Sequence, residues 1–405
     1  MIDLERLRLD LEAVNEIGHL PGRAGINRVS LSDQDMAGRR WLMSRFKAAG
    51  LAPRMDAIGN VFGRWQSGTG AAVFAGSHLD TVPEGGPFDG ALGVLSALEA
   101  VRTLKEQGFC PARPIEIVCT ADEEGRFGGM LGSQALTGEV GPEWMQAARD
   151  DHGIALAHAM GAQGLSPSDV ALPQGSIHAF LELHIEQGPV LETMGDQIGI
   201  VDAVSGVFNW LVTFTGQANH SGTTPMHLRR DAFRGMASFG AGIDAILARA
   251  GTSQSRLTVG QAALSPNFPH SIAGEAAFSI IARDTDERVM HALADACRET
   301  LEQAAQDHDL GLEIAEQSWL PPTRMDERIT EQLVELAQWD GLKARVMASG
   351  AGHDAQTFAR HVPAGLIFVP SKGGISHAPE EDTDWGDIEP GVILLTRAIA
   401  ALAGD

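Results

Sequence analysis

Three short apolar runs in this chain each end in histidine or carboxylate residues. The runs at residues 71–75, 115–120 and 181–185 have the length and composition of buried strands. The first leads into GSHLDTVPEGGPFDG, the second into ADEEGRFGG, and the third carries His184 and is followed by Glu186 and Gln187. In open α/β sheets, ligands bind beyond the carboxyl ends of the strands. Three unrelated turns would rarely share this pattern, so the sequence predicts an α/β domain with a metal or ligand site at one sheet edge.

The composition limits the class of protein. The length of 405 residues suits two domains, and 44% hydrophobic with 20% charged residues is typical of a globular chain. No apolar run reaches the 18 residues of a membrane span, and no secretory signal is visible, so a cytoplasmic location is expected. The net charge of −23 argues against nucleic acid or an anionic membrane as the main partner. Three cysteines are too few for a disulfide framework.

The order of predicted elements changes near residue 206. Before it, helices are predicted at residues 3–18, 33–49 and 91–106, between the buried strands. After it come a strand at 208–214, a helix at 230–249, strands at 257–262 and 276–284, a helix at 287–307 and an edge strand at 311–315. This β-α-β-β-α-β order is that of a ferredoxin-like sandwich. A linker at 319–323 precedes a helix at 326–339, a strand at 364–369 and a closing helix. The sequence therefore predicts a catalytic domain from residues 1–207 and 323–405, with a central mixed sheet flanked by helices, and an inserted α+β domain at 208–322.

The polar residues after the strands form a set suited to metal ions. Its members are His78, Asp80, Asp89, Glu123, Glu124, His184 and His377. Imidazole and carboxylate ligands without thiolate suit Zn²⁺, Mn²⁺, Ni²⁺ or Co²⁺, and two metals ~3.5–4 Å apart need a bridging carboxylate. Of the adjacent Glu123 and Glu124, one can bind metal while the other acts as a general base, and the residues alone leave open which. Taken singly, His184 and His377 would be interpreted as hydrogen-bonded surface residues, Glu123 and Glu124 as a solvated helix start, and the stretch that contains His78, Asp80 and Asp89 equally as a polar turn or a metal loop. Their joint placement at the ends of apolar strands favours the metal site.

Six motifs in the chain resemble one known family. They are GSHLDTVPEGGPFDG, DEEGRF, ELHIEQGPVLE, GQANHSGTTPM, SGAGHDA and FVPSKGGISHAPEE. Together they resemble the M20 metallopeptidase clan, and more closely its group of N-carbamoyl-L-amino acid hydrolases, allantoate amidohydrolases and β-ureidopropionases. The resemblance spans nearly the whole chain. It implies a zinc-peptidase-like catalytic domain, an inserted domain that forms a homodimer and closes over the site, and two divalent metal ions per subunit (Zn²⁺, Mn²⁺, Co²⁺ or Ni²⁺).

The resemblance also implies a role for each metal ligand. Asp89 would bridge the two metals. His78 and His184 would complete one site, and Glu124 with His377 the other.

Three further residues would support the chemistry in this family. Glu123 would be the general base, taking a proton from water and passing it to the leaving nitrogen. Asp80 would orient His78 by a hydrogen bond. His220 would reach the scissile oxygen, often from the partner subunit, and would stabilise the charge that develops there.

The remaining family positions would contact the substrate. Gln187 would bind it near the metals, Arg283 would fork onto its carboxylate, and Gly352 and His353 would line its pocket. One position departs from the family pattern. An Asn is common in a stretch like N-V-I-P-G, thirteen positions before the substrate Arg, but this chain has His270 there, with a different size and donor pattern.

The leading expectation is hydrolysis of a linear C–N bond, from an N-carbamoyl-L-amino acid to the L-amino acid, CO2 and ammonia. An allantoate- or ureidoglycolate-type amidohydrolase, or an N-acyl-amino acid hydrolase, would use the same chemistry. The substitution at His270 favours a larger or differently charged acyl-amino acid over the smallest carbamoyl substrates. The alternative from another class is a non-catalytic binding protein of the same fold. The expected partners are therefore a small-molecule substrate and a second copy of the chain, not nucleic acid or membrane.

Overall fold

The computed structural model describes residues 2–404, which form two compact units. The first unit comprises the described residues of Met1–Asp202 and Met325–Asp405, and the second is Ala203–Arg324. The sequence-based prediction placed these boundaries at residues 207/208 and 322/323. Among the described residues, no helix has the length and apolar composition needed to cross a membrane.

The chain alternates helices and strands before the second unit. The helices are α1 (Leu4–Gly18), α2 (Asp33–Ala48), α3 (Ala91–Glu106), α4 (Leu131–Thr137), α5 (Pro142–Ala147), α6 (Leu156–Ala162) and α7 (Val190–Met194). The strands are β1 (Ala52–Met55), β2 (Val61–Trp65), β3 (Ala72–His78), β4 (Ile115–Thr120), β5 (Ile177–Ile185) and β6 (Ile198–Val204).

The second unit and the return segment complete the set. The second unit has strands β7 (Gly206–Thr215), β8 (Asn219–His220), β9 (Arg256–Thr258), β10 (Ala262–Ser265), β11 (Ser271–Ile272), β12 (Glu275–Asp284), β13 (Gly311–Leu320) and β14 (Thr323–Arg324), and helices α8 (Ala232–Ala250) and α9 (Glu287–Asp307). The return segment has α10 (Glu327–Trp339), β15 (Ala344–Ser349), α11 (Asp354–Ala359), β16 (Ala364–Val369) and α12 (Trp385–Gly404).

The predicted central mixed sheet flanked by helices is confirmed in the first unit. Its strands follow the order β1-β2-β4-β3-β5-β16-β6, with β15 also paired to β6. The second unit's β14 pairs with the last two residues of β6, Ala203 and Val204, which belong to that unit as well. The neighbours β4, β3, β5 and β16 run parallel, while β1, β2, β6 and β14 pair antiparallel. The four parallel strands therefore direct their carboxyl ends to one edge of the sheet.

Side chains cover both faces of this sheet, because successive residues of a strand point to opposite sides. On β5, Leu181 and Leu183 belong to a buried cluster with apolar residues of α3 and α12. The intervening Phe180 instead stacks on Phe358 of α11, with ring centroids 4.1 Å apart. Burial on two faces explains why these strands are continuous apolar runs in the sequence instead of alternating ones.

The second unit has the predicted β-α-β-β-α-β order. Its sheet runs β10-β12-β7-β13, with β9 also paired to β12, and every pair is antiparallel. Apolar residues of α8 and α9, among them Phe239 and Leu293, pack on Phe208 and Phe278 of the sheet. Pairing of β14 with β6 brings the two ends of this unit side by side.

Some predicted elements differ from the structure in extent. The strand predicted at 257–262 is two short strands, β9 and β10, which pair with different parts of β12. The edge strand predicted at 311–315 extends to Leu320 because β13 follows β7 along its length through a register shift between Glu316 and Ser318. Part of the predicted linker at 319–323 is therefore strand. Strands β6 and β15 were not predicted.

Candidate metal centre and active site

The structure brings the five predicted metal ligands to one edge of the first unit's sheet. His78 is the last residue of β3, and His184 is the last residue but one of β5. Glu124 follows β4 by four residues, and His377 lies in the loop after β16. Asp89 lies just before α3. The parallel strands thus collect residues that are up to about 300 positions apart in the sequence.

Three of these residues form a first group of candidate ligands: His78, Asp89 and His184, with one ligand atom from each within 4.8 Å of the others. The Nε2 atoms of His78 and His184 lie 3.4 and 3.2 Å from Asp89 Oδ1. The Nδ1 atom of each ring is 2.9 Å from a main-chain carbonyl, that of Asp80 and of Ile185 respectively. An Nδ1–H that donates to a carbonyl leaves the Nε2 lone pair directed at Asp89.

The second group consists of Asp89, Glu124 and His377, again within 4.8 Å of one another. His377 Nε2 lies 3.4 Å from Asp89 Oδ2 and 3.4 Å from Glu124 Oε2. Asp89 therefore presents one carboxylate oxygen to each group, which is the arrangement of a bridging ligand. The other oxygen of Glu124, Oε1, is buried without a hydrogen-bond partner among the described residues.

The two groups fit divalent metal ions. An imidazole nitrogen that faces a carboxylate oxygen at 3.2–3.4 Å is stabilised by a proton or a metal cation between the two atoms. Metal–ligand bonds of ~2.0–2.1 Å in a tetrahedral site place two ligands ~3.4 Å apart, which matches these separations. The donors are imidazole nitrogens and carboxylate oxygens, the set that Zn²⁺ and its first-row neighbours accept.

The electrostatics of the groups also favour cations. Burial disfavours ionisation of Asp89, but the imidazoles of His184, His377 and His78 outweigh it and hold the pKa of Asp89 well below its usual range. The hydrogen bond to Asp89 raises the pKa of His377 to about 9, although burial opposes the shift. The same carboxylates that favour a proton on these rings would stabilise a bound dication.

Asp80 contacts His78 in a different way from the one expected. The hydrogen bond to the His78 ring comes from the main-chain carbonyl of Asp80, not from its carboxylate. The buried carboxylate instead accepts a hydrogen bond from Glu124 N at 3.2 Å and pairs with Arg39 at 3.4 Å. Asp80 therefore connects the end of β3 with the turn that carries the two glutamates.

Glu123 belongs to neither group of candidate ligands. Its Oε2 lies 3.5 Å from His78 Nε2, so the carboxylate borders the first group. Burial raises the pKa of Glu123 well above its usual range, and His78 offsets this only in part, because Asp354, Glu124 and Asp89 add to the rise. A carboxyl group with a raised pKa at the edge of a metal centre suits proton transfer in both directions.

Two of the predicted substrate contacts lie beside the metal groups. Gln187, whose φ is +57°, directs its side-chain amide to Asp89 Oδ2 at 2.7 Å and to His377 Nε2 at 3.3 Å. His353 is buried, with its ring centroid 4.6 Å from that of His184. Burial lowers the pKa of His353 well below its usual range, and the positive charge of His184 lowers it further. Gly352 directly precedes His353.

The other predicted contacts lie in the second unit. His220 on β8 is paired with Ser271 on β11, and the neighbouring His270 accepts a hydrogen bond at its carbonyl from Ser221. The structure thus brings His220 and His270 together on one exposed turn. Arg283 lies near the other end of β12 and is half-buried, and burial lowers its pKa.

Sequence reasoning missed two residues that contact the metal groups. Ser376 Oγ lies 3.1 Å from Asp89 Oδ2, and Glu381 accepts a hydrogen bond from Asp89 N at 3.0 Å. Both are part of the motif FVPSKGGISHAPEE, in which only His377 was given a role. The available signal was the second glutamate of that motif, although a Glu-Glu pair in a loop is usually solvated.

Comparisons with known proteins agree with the motifs. Residues 74–401 match the Peptidase family M20/M25/M40. The chain is 35% identical over 386 residues to an N-carbamoyl-L-amino-acid amidohydrolase of Paenarthrobacter aurescens, covering 93% of each protein. It is 37% identical over 387 residues to an allantoate amidohydrolase of Escherichia coli strain K12, covering 94% of this chain and 93% of that protein. A crystal structure of a hydantoinase/carbamoylase family amidase from Burkholderia multivorans has a TM-score of 0.94 at 34% identity, covering 100% of this chain and 98% of the other.

The chain belongs to peptidase family M20/M25/M40. The resemblance inferred from the six motifs, to the group that includes N-carbamoyl-L-amino acid hydrolases and allantoate amidohydrolases, is confirmed. The predicted class of enzyme is confirmed as well, an amidohydrolase that acts on carbon–nitrogen bonds other than peptide bonds.

Proposed function

We propose that the protein hydrolyses an N-carbamoyl-L-amino acid to the L-amino acid, CO2 and ammonia, with two divalent metal ions in each subunit. The observation that carries the two-metal proposal is the division of Asp89 between two groups, with Oδ1 facing His78 and His184 and Oδ2 facing His377. Support for the substrate class comes from the relative in Paenarthrobacter aurescens that is named for this activity.

Metal ions held by the two groups would lower the pKa of water and polarise the carbonyl of the substrate. Glu123 would accept the proton that water loses as its oxygen attacks the carbonyl carbon. It would then donate this proton to the nitrogen that leaves when the C–N bond breaks. Burial raises the pKa of Glu123, which favours its holding the proton between the two steps. The carbamic acid released with the amine would decompose to CO2 and ammonia.

His220 and Arg283 would contact the substrate, and their positions within the second unit support the proposed homodimer. On β12, Arg283 is eight residues from Glu275, a distance of ~27 Å along an extended strand. His220 follows β7, and its partner Ser271 precedes β12, both at the end of that strand pair where Thr215 faces Glu275. This separation far exceeds the length of a carbamoyl amino acid, so the two residues of one subunit would serve different substrate molecules. A dimer in which each subunit lends His220 to the other would satisfy both roles.

Mixing two inactive variants tests this exchange. His220→Ala and Arg283→Ala homodimers are each expected to lose most activity, whereas heterodimers formed from the two variants would contain one site with both side chains. Activity that returns on mixing supports the exchange. Mixtures as inactive as their components, although light scattering shows that heterodimers form, would contradict it.

A substrate panel tests the reaction itself. Purified protein would be incubated with N-carbamoyl amino acids, allantoate, ureidoglycolate and N-acetyl amino acids, and both ammonia and free amine would be measured. Equal release of ammonia and amino acid from a carbamoyl substrate is the expected result. Ammonia release confined to allantoate would exclude the carbamoyl proposal, and amine without ammonia would indicate an acylase.

The second candidate is an allantoate amidohydrolase, favoured by the similarity to the Escherichia coli relative. His270, exposed beside His220, offers a larger side chain and a different donor pattern where the family commonly has Asn, and a substrate with further polar groups could use it. The cytoplasmic location stays a prediction from the sequence, and so does the identity of the metals.

A further inference from the structure

The two metal groups are anchored to the fold in different ways. In the first group, both imidazoles lie at the ends of central strands and each Nδ1 is tied to a main-chain carbonyl. In the second group, His377 lies in a loop, has a φ of +56°, and its side chain is 49% exposed. The hydrogen-bond contact of its ring runs through Nε2, the atom that would bind metal, to Gln187. Other residues must therefore hold this loop in place.

Glu381 is placed to do so. Only 3% of this residue is exposed, and its Oε1 accepts hydrogen bonds from Phe88 N at 2.9 Å and Asp89 N at 3.0 Å. These bonds fix the main chain that carries the bridging carboxylate. The carboxyl group packs so closely on Gly86 that a Cβ there would overlap with it. A carboxylate that accepts two main-chain bonds in a buried site is a strong constraint on both segments.

The second oxygen of Glu381 reaches the loop of His377. Its Oε2 accepts a hydrogen bond from Ser376 Oγ at 2.7 Å. The same hydroxyl lies 3.1 Å from Asp89 Oδ2, the oxygen that faces His377. Ser376 directly precedes His377, so one short path of contacts joins Glu381, the bridging carboxylate and the histidine of the second group.

We propose that Glu381 is a positioning residue for the second metal site, acting through Ser376 and the main chain of Asp89. This inference rests on the proposed two-metal function. Loss of Glu381 releases the loop of His377 and loosens Asp89, whereas the imidazoles of the first group keep the contacts of their Nδ1 atoms with main-chain carbonyls. The affinity for the second metal therefore falls by about 10–100-fold, the usual cost of removing a group that orients a ligand. The affinity for the first metal changes far less.

The test is a titration of metal-stripped, full-length protein with Mn²⁺, whose weak binding among first-row metals makes both affinities measurable. The variants are Glu381→Ala and Ser376→Ala, and Glu380→Ala is the matched control, since Glu380 is the exposed neighbour. Glu381→Ala is expected to weaken the second binding event selectively, Ser376→Ala to weaken it by about tenfold, and Glu380→Ala to leave both events unchanged. Circular dichroism establishes that each variant is folded. If Glu381→Ala does not fold, the affinity of Ser376→Ala for the second metal tests the proposal by itself.

The outcomes separate this inference from the proposed function. Wild-type protein that binds fewer than two Mn²⁺ per chain would contradict the two-metal proposal. Wild-type protein that binds two, with variants that bind both as tightly or lose both equally, would overturn the role of Glu381 and leave that proposal standing. A purely structural role would lower thermal stability without this selectivity between sites.

Discussion

Replacing each of the adjacent glutamates by glutamine should produce two different defects. Glu123 lies outside both metal groups, 3.5 Å from His78 Nε2, whereas Glu124 Oε2 lies 3.4 Å from His377 Nε2. Gln keeps the size of Glu but cannot accept the proton from water. We expect Glu123→Gln to bind two metals and to lose turnover. We expect Glu124→Gln to lose the second metal.

The size of the first effect follows from the role of Glu123. Proton transfer by a positioned side chain contributes ~10²–10⁴-fold to a rate, which corresponds to ~2.7–5.4 kcal/mol of transition-state stabilisation. Because the side chain borders the first group without joining it, the loss should fall on kcat, with KM changed by less than about threefold.

The assay combines two measurements on the same preparations. Initial rates of ammonia release at saturating metal give kcat and KM, and elemental analysis after gel filtration gives metal per chain. Undiminished turnover in Glu123→Gln would refute its role as the base. Loss of a metal from Glu123→Gln, together with full occupancy in Glu124→Gln, would show that the two roles are reversed.

Three further predictions concern the residues around the centre. Gly90→Ala should lower the affinity for the first metal, because φ is +62° there and a Cβ would overlap with the ring of His78; calorimetric titration measures this. Binding of the second metal should strengthen with rising pH by up to about tenfold per unit between pH 7.5 and 9 and then level off, because the pKa of His377 is about 9 and only the neutral ring binds metal, whereas Glu124, whose pKa burial raises to about 7, is largely ionised in this range; chelator competition between pH 7.5 and 9.5 measures this. Arg39→Met should lower the free energy of unfolding by about 3–5 kcal/mol, because it leaves the buried carboxylate of Asp35 without its partner at 2.8 Å; urea denaturation measures this.

Matched controls exist for the two substitutions. Gly108 also has a positive φ, +73°, but no atom lies within 4 Å of a Cβ there, so Gly108→Ala should leave metal affinity unchanged. Arg40 is the exposed neighbour of Arg39, so Arg40→Met should change stability by less than about 0.5 kcal/mol. Equal effects of Gly90→Ala and Gly108→Ala, or of Arg39→Met and Arg40→Met, would contradict the proposed cause of each effect. An affinity for the second metal that does not change with pH would contradict the role of His377.

The parts of the fold that the sequence predicted well are those with strong local signals. β4, α3, α9 and β16 were predicted with the bounds that the structure has, since each is a long periodic segment or a bounded apolar run. β6 and β15 were missed because neither is a continuous apolar run and because their pairing, of β6 with β16 and of β15 with β6, is non-local. The extension of β13 to Leu320 depends on its pairing with β7, a contact between distant parts of the chain that the local sequence pattern does not indicate.

The candidate site was predictable in its ligand types and not in its supporting contacts. His78, Asp89 and His184 follow apolar runs or stand in Gly-rich turns, so their chemistry is visible in the sequence. Glu381 was not recognised because its partners are main-chain groups almost 300 residues away. Asp80 shows the same limit. A main-chain carbonyl, which every residue has, makes the hydrogen bond expected of its side chain.

The strand order has a consequence for synthesis of the protein. β16 lies between β5 and β6, but it is translated after both and after the whole second unit. Until about residue 370 has left the ribosome, β5 lacks its partner along the six buried residues Phe180–Ile185, which include His184. Such an edge can pair with other chains. Nascent chains that stall before this point should therefore aggregate and depend on chaperones, whereas a chain in which β16 is available can close the sheet.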